Sequence, residues 1–405
     1  MAVGKKKILP VMDGVMQDYL EIPSGSYVTG GSMYALLGTF TAPVLMVAKG
    51  QRDVKIDNVI LDGKLKDNVG KFGLLIHNSG EVVVKDVVFR NFFGAGVVVM
   101  GGGRVVFERC IFENNSMAVA INHTPLNFEG EILGFGYVDR IEFYGCEFYN
   151  DSSTLVSANV KAYNLLYSRM VENLVIDDCY FEGAGFGADN DAALGTWGNG
   201  IYVWQSRNII IHNVKSKENY WSSVVIGQEA DSVVVTDSFL SRGLNSSAAL
   251  WIEQAGCQRV VVTGNQINGG VSLGDNGGQK VIFSKNIVNN PNYGLDISTY
   301  ALDVVISNNI ISGDGYQINS KGMYVYNHKN PSSRQTVIIT SNIVSGYEAG
   351  IYLNNDYAVG DLYNLIITNN FCEDNTYPFV VGGDVQFTES VVIANNSFTH
   401  YYRNY

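Results

Sequence analysis

A short apolar motif recurs thirteen times along this chain. Each copy has an anchor, an apolar residue two positions before it, and a small, amide or β-branched residue three positions after it. The anchors are Ile56, Val84, Phe107, Phe143, Ile176, Ile211, Val235, Val262, Phe283, Ile306, Ile339, Ile367 and Ile393, with a mean period of about 28 residues. A fixed period of this length predicts stacked supersecondary units that bury their faces against their neighbours.

Each period holds two further apolar segments. One is led by glycine, as in Gly200-Ile201-Tyr202-Val203, Gly294-Leu295-Asp296-Ile297 and Gly322-Met323-Tyr324-Val325. The other follows the anchor, as in Asn309-Ile310-Ile311. Three short alternating segments separated by Gly, Asn and Asp predict three strands per turn of a β-coil. Equivalent residues then stack about 4.8 Å apart.

The column three residues past the anchor tests this stacking. It runs Val59, Val87, Cys110, Cys146, Cys179, Val214, Ser238, Asn265, Asn286, Asn309, Asn342, Asn370 and Asn396. Like residues sit on like, and a buried amide can bond to the amides above and below it. A phenylalanine column of Phe89, Phe112, Phe148 and Phe181 lies two positions further on.

This pattern resembles the right-handed parallel β-helix of the pectin-lyase-like superfamily, in particular its carbohydrate-binding and sugar-hydrolase repeat group. The resemblance covers roughly residues 53–400 and implies an all-β, single-stranded solenoid of about thirteen coils with three sheets. It does not fix an activity, because the fold hosts lyases, hydrolases, epimerases, adhesins and viral tailspikes. The catalytic motif sets of polygalacturonases, alginate epimerases and calcium-dependent pectate lyases are missing, so no catalytic residue carries over from the resemblance. Residues 1–52 break the period and are expected to form a cap and a first irregular coil, with 401–405 a C-terminal tail.

The net charge of −12 and the lack of a long basic run argue against a nucleic-acid partner. No apolar run approaches a membrane span, and the five apolar residues after Lys5-Lys6-Lys7 are too few for a signal peptide. The five cysteines read as small apolar filling, not as a disulfide framework or a metal site.

Alternation places Asn122, Tyr202, Trp204, Trp251, Glu253, Asp296, Tyr324, Tyr326, Tyr352 and Asn354 outward on the glycine-led sheet. Aromatic faces and carboxylates in one row predict a sugar-binding groove, with Asn122, Tyr202, Trp204, Trp251, Tyr324, Tyr326 and Tyr352 as substrate contacts. The plainer reading of the aromatics is strand propensity. Insertions near residues 114–138, 150–172, 183–200 and 326–335 are expected to flank this face.

Glu253 and Asp296, two coils apart, are the candidate acid/base pair of an inverting glycoside hydrolase. Asp189 and Asp191 are the alternative, or a calcium site. No other cofactor is expected.

A second outward row, one residue before each anchor, reads Lys55, Val83, Val106, Glu142, Val175, Ile210, Val234, Val261, Ile282, Val305, Ile338, Ile366 and Val392, next to Ile60, Val88, Ile111, Tyr180, Phe239, Ile287, Ile310, Ile343 and Phe371. It predicts association into a homo-oligomer, a side-by-side trimer above all. Three readings stay open: a glycan-cleaving enzyme, a glycan-binding tailspike-like or surface protein, and a purely structural fibre. All three place the chain on a virion or an extracellular surface.

Overall fold

Two residues past every one of the thirteen anchors, the backbone turns through the left-handed region. Its φ runs from 49° at Arg109 to 73° at Gly264, with Asn58, Asp86, Asp178, Asn213, Asp237, Asn308 and Asn369 among the others. Asn, Asp and Gly tolerate this conformation, and most of the column is built of them. The turn makes a tight corner that carries the next residue inside the coil.

These features belong to a computed structural model that describes all residues except 1–6, 11–13, 17–19, 36–42, 48–49, 65–71, 123–135, 159–161, 186–197, 228, 244–245, 247, 253–258, 274–279, 291–292, 299–302, 315–316, 327–335, 356–363, 384–390 and 401–405. The chain divides into two compact units, Met1–Ile210 with Val214–Trp221, and Ile211–Asn213 with Ser222–Tyr405. Both are right-handed parallel β-helix. The only helix among the described residues is the short Ser152–Ser157.

In the first unit the anchors Ile56, Val84, Phe107, Phe143 and Ile176 pair in register and are fully buried. The rings of Phe89, Phe112, Phe148 and Phe181 stack at 5.1, 4.6 and 4.3 Å. Pairing begins before the expected cap boundary: Val28 is in register with Ile56, and Leu45 with Leu74. Residues before 52 therefore pair as rungs.

The thiols of this unit do the work of amides. Cys110 and Cys146 donate from Sγ to the carbonyls of the preceding anchors, Val84 and Phe107, at 3.5 and 3.6 Å. The backbone N–H of Cys146 donates to the Cys179 sulfur at 3.4 Å. Burial holds the Cys110 and Cys179 thiols well above their usual pKa, so they stay protonated donors.

In the second unit an asparagine ladder fills the same position. Asn265, Asn286, Asn309, Asn342 and Asn370 each donate from Nδ2 to the next Asn Oδ1, ending at Asn396, at 2.9–3.2 Å. Each Nδ2 also reaches an anchor carbonyl of the coil before, as Asn309 does to Phe283 at 3.0 Å.

Tyr347, fully buried, lies across several rungs of this unit. A Cβ on Gly322 would stand 3.0 Å from its ring and 2.7 Å from the Gly350 carbonyl; one on Gly294 would stand 3.0 Å from its hydroxyl. The glycine-led strands carry glycine here because the Ile311 and Val344 methyls, each 2.3 Å from the added Cβ, the neighbouring carbonyls and this ring together leave no space for a side chain.

Candidate functional site

The glycine-led strands of the second unit carry one outward column in strict register. Val225 pairs with Trp251, Trp251 with Ser272, Ser272 with Asp296, Asp296 with Tyr324, and Tyr324 with Tyr352. The inward neighbours Leu250, Leu295, Ile297, Met323 and Val325 are buried, so alternation fixes this row outside. Trp251, Ser272, Asp296, Tyr324 and Tyr352 all keep partial exposure.

Lys321 lies beside this column, and sequence patterning did not single it out. Its Nζ sits 3.8 Å from the centre of the Tyr324 ring, 4.6 Å from that of Tyr352 and 5.7 Å from that of Tyr293. An ammonium over aromatic faces is held by the ring quadrupoles. Asn354 donates from Nδ2 to the Tyr324 hydroxyl at 2.9 Å, and the Tyr324 and Tyr352 rings tilt at 54° with centres 5.5 Å apart. Trp251 contributes an indole N–H that is buried and has no hydrogen-bond partner.

Tyr326 is in register with Asn354, in an adjoining column, and its side chain lies outside the described residues. Glu253 also lies outside them, as do Asp189 and Asp191. Asp296 shares its column with Trp251. Among the described residues no group of three or more His, Cys, Asp or Glu side chains converges to hold a metal ion.

The first unit presents a different outward face. Leu75, Val98, Ala120, Tyr167 and Tyr202 form its column, and the first four are buried within an apolar cluster. Tyr202 and Trp204 pack against that cluster. The Tyr202 ring stacks on Tyr167 at 5.4 Å, and Arg169 lies 5.1 Å from the Trp204 ring. Burial pushes the Tyr167 phenol up to about 12, against the pull of Arg169. Tyr202 and Trp204 thus have one ring face occupied by the protein itself.

Asn122 corrects an expectation. It follows the strand Met117–Ile121 with φ at 50°, which ends the alternation and turns its side chain inward. Its exposure is 1%; its Oδ1 accepts from Gly101 N, and its Nδ2 donates to the Gly136 and Arg169 carbonyls. It ties backbone segments together and does not face the groove.

The second outward row also differs between the units. In the second, Ile282, Ile287, Ile310, Ile343, Phe371 and Val392 are exposed. In the first, Val106 and Glu142 are buried, and Glu142 is paired with Arg104 at 2.6 Å and Arg140 at 2.8 Å. The exposed apolar residues of this row lie mostly in the second unit, with Ile210 of the first unit exposed as well.

The family described as right handed beta helix region matches residues 47–311 and 199–358, and the chain belongs to that family. No curated protein matches the sequence. Among solved structures the chain is similar to the tailspike of Escherichia coli bacteriophage HK620, solved as a mutant in complex with a pentasaccharide. That match has 11% identity, covers 92% of this chain and 70% of the tailspike chain, and has a TM-score of 0.51. It is also similar to PfbA, a surface adhesin of Streptococcus pneumoniae, at 15% identity over 87% of this chain and 85% of the other, with a TM-score of 0.50. A third similar structure is the A-module of the Azotobacter vinelandii mannuronan C-5 epimerase AlgE4, at 12% identity, 97% and 90% coverage and a TM-score of 0.45. At these identities the likeness concerns the fold. No helix among the described residues is long and apolar enough to cross a membrane.

Proposed function

We propose that this chain is a glycan-recognising β-helix protein of the tailspike or surface-adhesin kind, acting on a virion or cell surface. The observation that carries the reading is the in-register outward column Trp251, Ser272, Asp296, Tyr324 and Tyr352, with Lys321 and Asn354 beside it. Aromatic bodies, a carboxylate, an ammonium and an amide on a rigid sheet match what sugar rings and hydroxyls need. The test is incubation with a panel of purified bacterial surface polysaccharides, read by binding and by product size. Binding to none of them would end the reading.

Cleavage is the finer proposal. Asp296 with Glu253 is the pair to test, through Asp296→Asn and Glu253→Gln. Shortened product with the wild type, lost in both variants, assigns a hydrolase; binding without shortening assigns a receptor-binding protein.

A structural role has its own support in the exposed stripe of Ile287, Ile310, Ile343 and Phe371. Contiguous apolar surface of this kind marks association. Lateral pairing of copies, with a trimer as the favoured state, is compatible with glycan recognition on the other face.

A further inference from the structure

We propose that a cavity at one corner of the first unit takes an amino sugar of the recognised glycan through its free ammonium group. The inference rests on the glycan reading above and adds a second contact, in the first unit, with its charge class. The cavity measures about 330 Å³, and Tyr149, Asp151, Ser152, Glu182, Gly183 and Glu218 line it. That volume falls in the lower part of the ~300–1,000 Å³ range of small-molecule sites. Tyr149, Glu182 and Lys217 are in register at the ends of consecutive strands in the sheet that follows the anchors. Asn150, Gly183 and Glu218 come next and form the corner, where the Asn150 N–H donates to the Glu182 carbonyl at 3.0 Å. A Cβ on Gly183 would stand 2.3 Å from the Asn150 carbonyl, so bare backbone forms this part of the wall. The insertions at 150–172 and 183–200 both leave the coil here, and loops on a rigid scaffold commonly carry binding function.

Charge selects the ligand. Three carboxylates line the cavity, and one ammonium serves two of them: Lys217 donates from Nζ to Glu182 Oε1 at 3.1 Å and to Glu218 Oε1 at 3.0 Å. Asp151 is held by the Ser153 and Thr154 hydroxyls at 2.8 Å and has no cation bonded to it among the described residues. The lining therefore keeps a surplus of negative charge. The Glu218 side chain is 65% exposed and Asp151 is exposed, so donors of a ligand reach both from solvent. Among the described residues no group of carboxylates converges as a metal cage does, so an organic cation suits the cavity. An ammonium on a pyranose ring brings charge-assisted N–H donors to the carboxylates, while the ring itself lies against the Tyr149 wall.

Two variants test the cavity. Glu218→Gln removes one charge at an exposed position and leaves Lys217 paired with Glu182, and Ser152→Tyr fills the space. Binding is measured by calorimetry with short oligomers of glucosamine, whose amines are free, and of N-acetylglucosamine, whose amines are blocked. Low and physiological salt are compared, with thermal unfolding as a control for folding. The wild type is expected to bind the glucosamine oligomers roughly tenfold more tightly than the acetylated ones, and the preference should shrink as salt rises. Glu218→Gln should lose most of that preference, and Ser152→Tyr should weaken binding of the glucosamine oligomers by a similar factor. Should Ser152→Tyr fail to fold, Glu218→Gln decides alone. Equal wild-type affinity for the two oligomers, or a preference that the folded variants keep, overturns the cavity proposal. The polysaccharide panel judges the glycan reading separately. A wild type that binds panel members without these effects loses only the cavity, one that binds glucosamine oligomers but no panel member loses only the surface-glycan reading, and one that binds neither loses both.

Discussion

Asn309 donates from Nδ2 to the side-chain oxygen of Asn342 at 2.9 Å, and its own oxygen accepts the same bond from Asn286 at 3.2 Å. That oxygen also accepts from the Asn286 backbone N–H at 2.9 Å. Replacing Asn309 by alanine would strand the Asn286 N–H and the Phe283 carbonyl inside the coil. Each stranded buried group costs about 1–3 kcal/mol, so Asn309→Ala should lose roughly 3 kcal/mol by urea denaturation. Asn396, at the end of the ladder and only half-buried, should lose clearly less. Equal losses at both positions would show that the ladder does not act through burial.

Lys285 occupies one of the left-handed corners, with φ at 56° and an exposed side chain. Asparagine holds the equivalent place at Asn308 and Asn369 with φ of 58° and 57°. Lys285→Asn should therefore stabilise the protein by about 0.5–1 kcal/mol. A lower midpoint of thermal unfolding would count against backbone strain at this corner.

Gly322 starts a rung beneath Tyr347, where an added Cβ meets ring and backbone at once. Gly322→Ala should destabilise by about 1–3 kcal/mol, as overpacking does in other tight cores. The control is Gly25→Ala, where no atom lies within 4 Å of the added Cβ and the penalty comes from its φ of 69° alone. The denaturation midpoint should fall further for Gly322→Ala.

Glu142 takes a buried place in the outward column of Val83, Val106 and Val175. Burial pushes its pKa up, but hydrogen bonds from Arg104, Arg140 and Tyr144 outweigh that and hold it below the ordinary 4.5. A carboxylate depressed in the folded state contributes its stability in full above its unfolded pKa. The contribution is lost as pH falls through the folded value. Wild type should thus exceed Glu142→Gln in stability at pH 7, with the gap closing below pH 4.5. A gap unchanged between pH 7 and pH 3 would refute this.

The exposed aliphatic stripe is testable without knowing any ligand. Ile282, Ile310 and Ile343 are exposed, so lysine at all three should leave folding intact. The wild type is expected to scatter light as an oligomer and the triple variant as a monomer. A monomeric wild type would end the association proposal.

Much of the fold was legible because the constraint repeats. One apolar residue such as Ile306 is ambiguous, but thirteen recurrences of its motif are not, and the asparagine column announced its own stacking. The left-handed corner was equally readable in the run of Asn, Asp and Gly two residues past the anchors. Other features depend on directions that chain spacing does not encode. Tyr347 crosses rungs, so its demand on Gly294 and Gly322 is invisible along the sequence. Asn122 was misread because alternation ends where φ turns positive. Lys321 reached three tyrosine rings from a position that patterning treats as an ordinary strand start. The orphaned N–H of Trp251 is a property of surroundings, which no single residue type reveals.

The corner that recurs after every anchor gives each period the same kind of junction to the next. Excising residues 284–306 would join Phe283 to Ser307 and reproduce the junction that Ile306 now makes, with flanking edges still matched. A lineage of such chains can therefore change in copy number without inventing a new core. The reach of the outer column would lengthen or shorten in increments of about 4.8 Å.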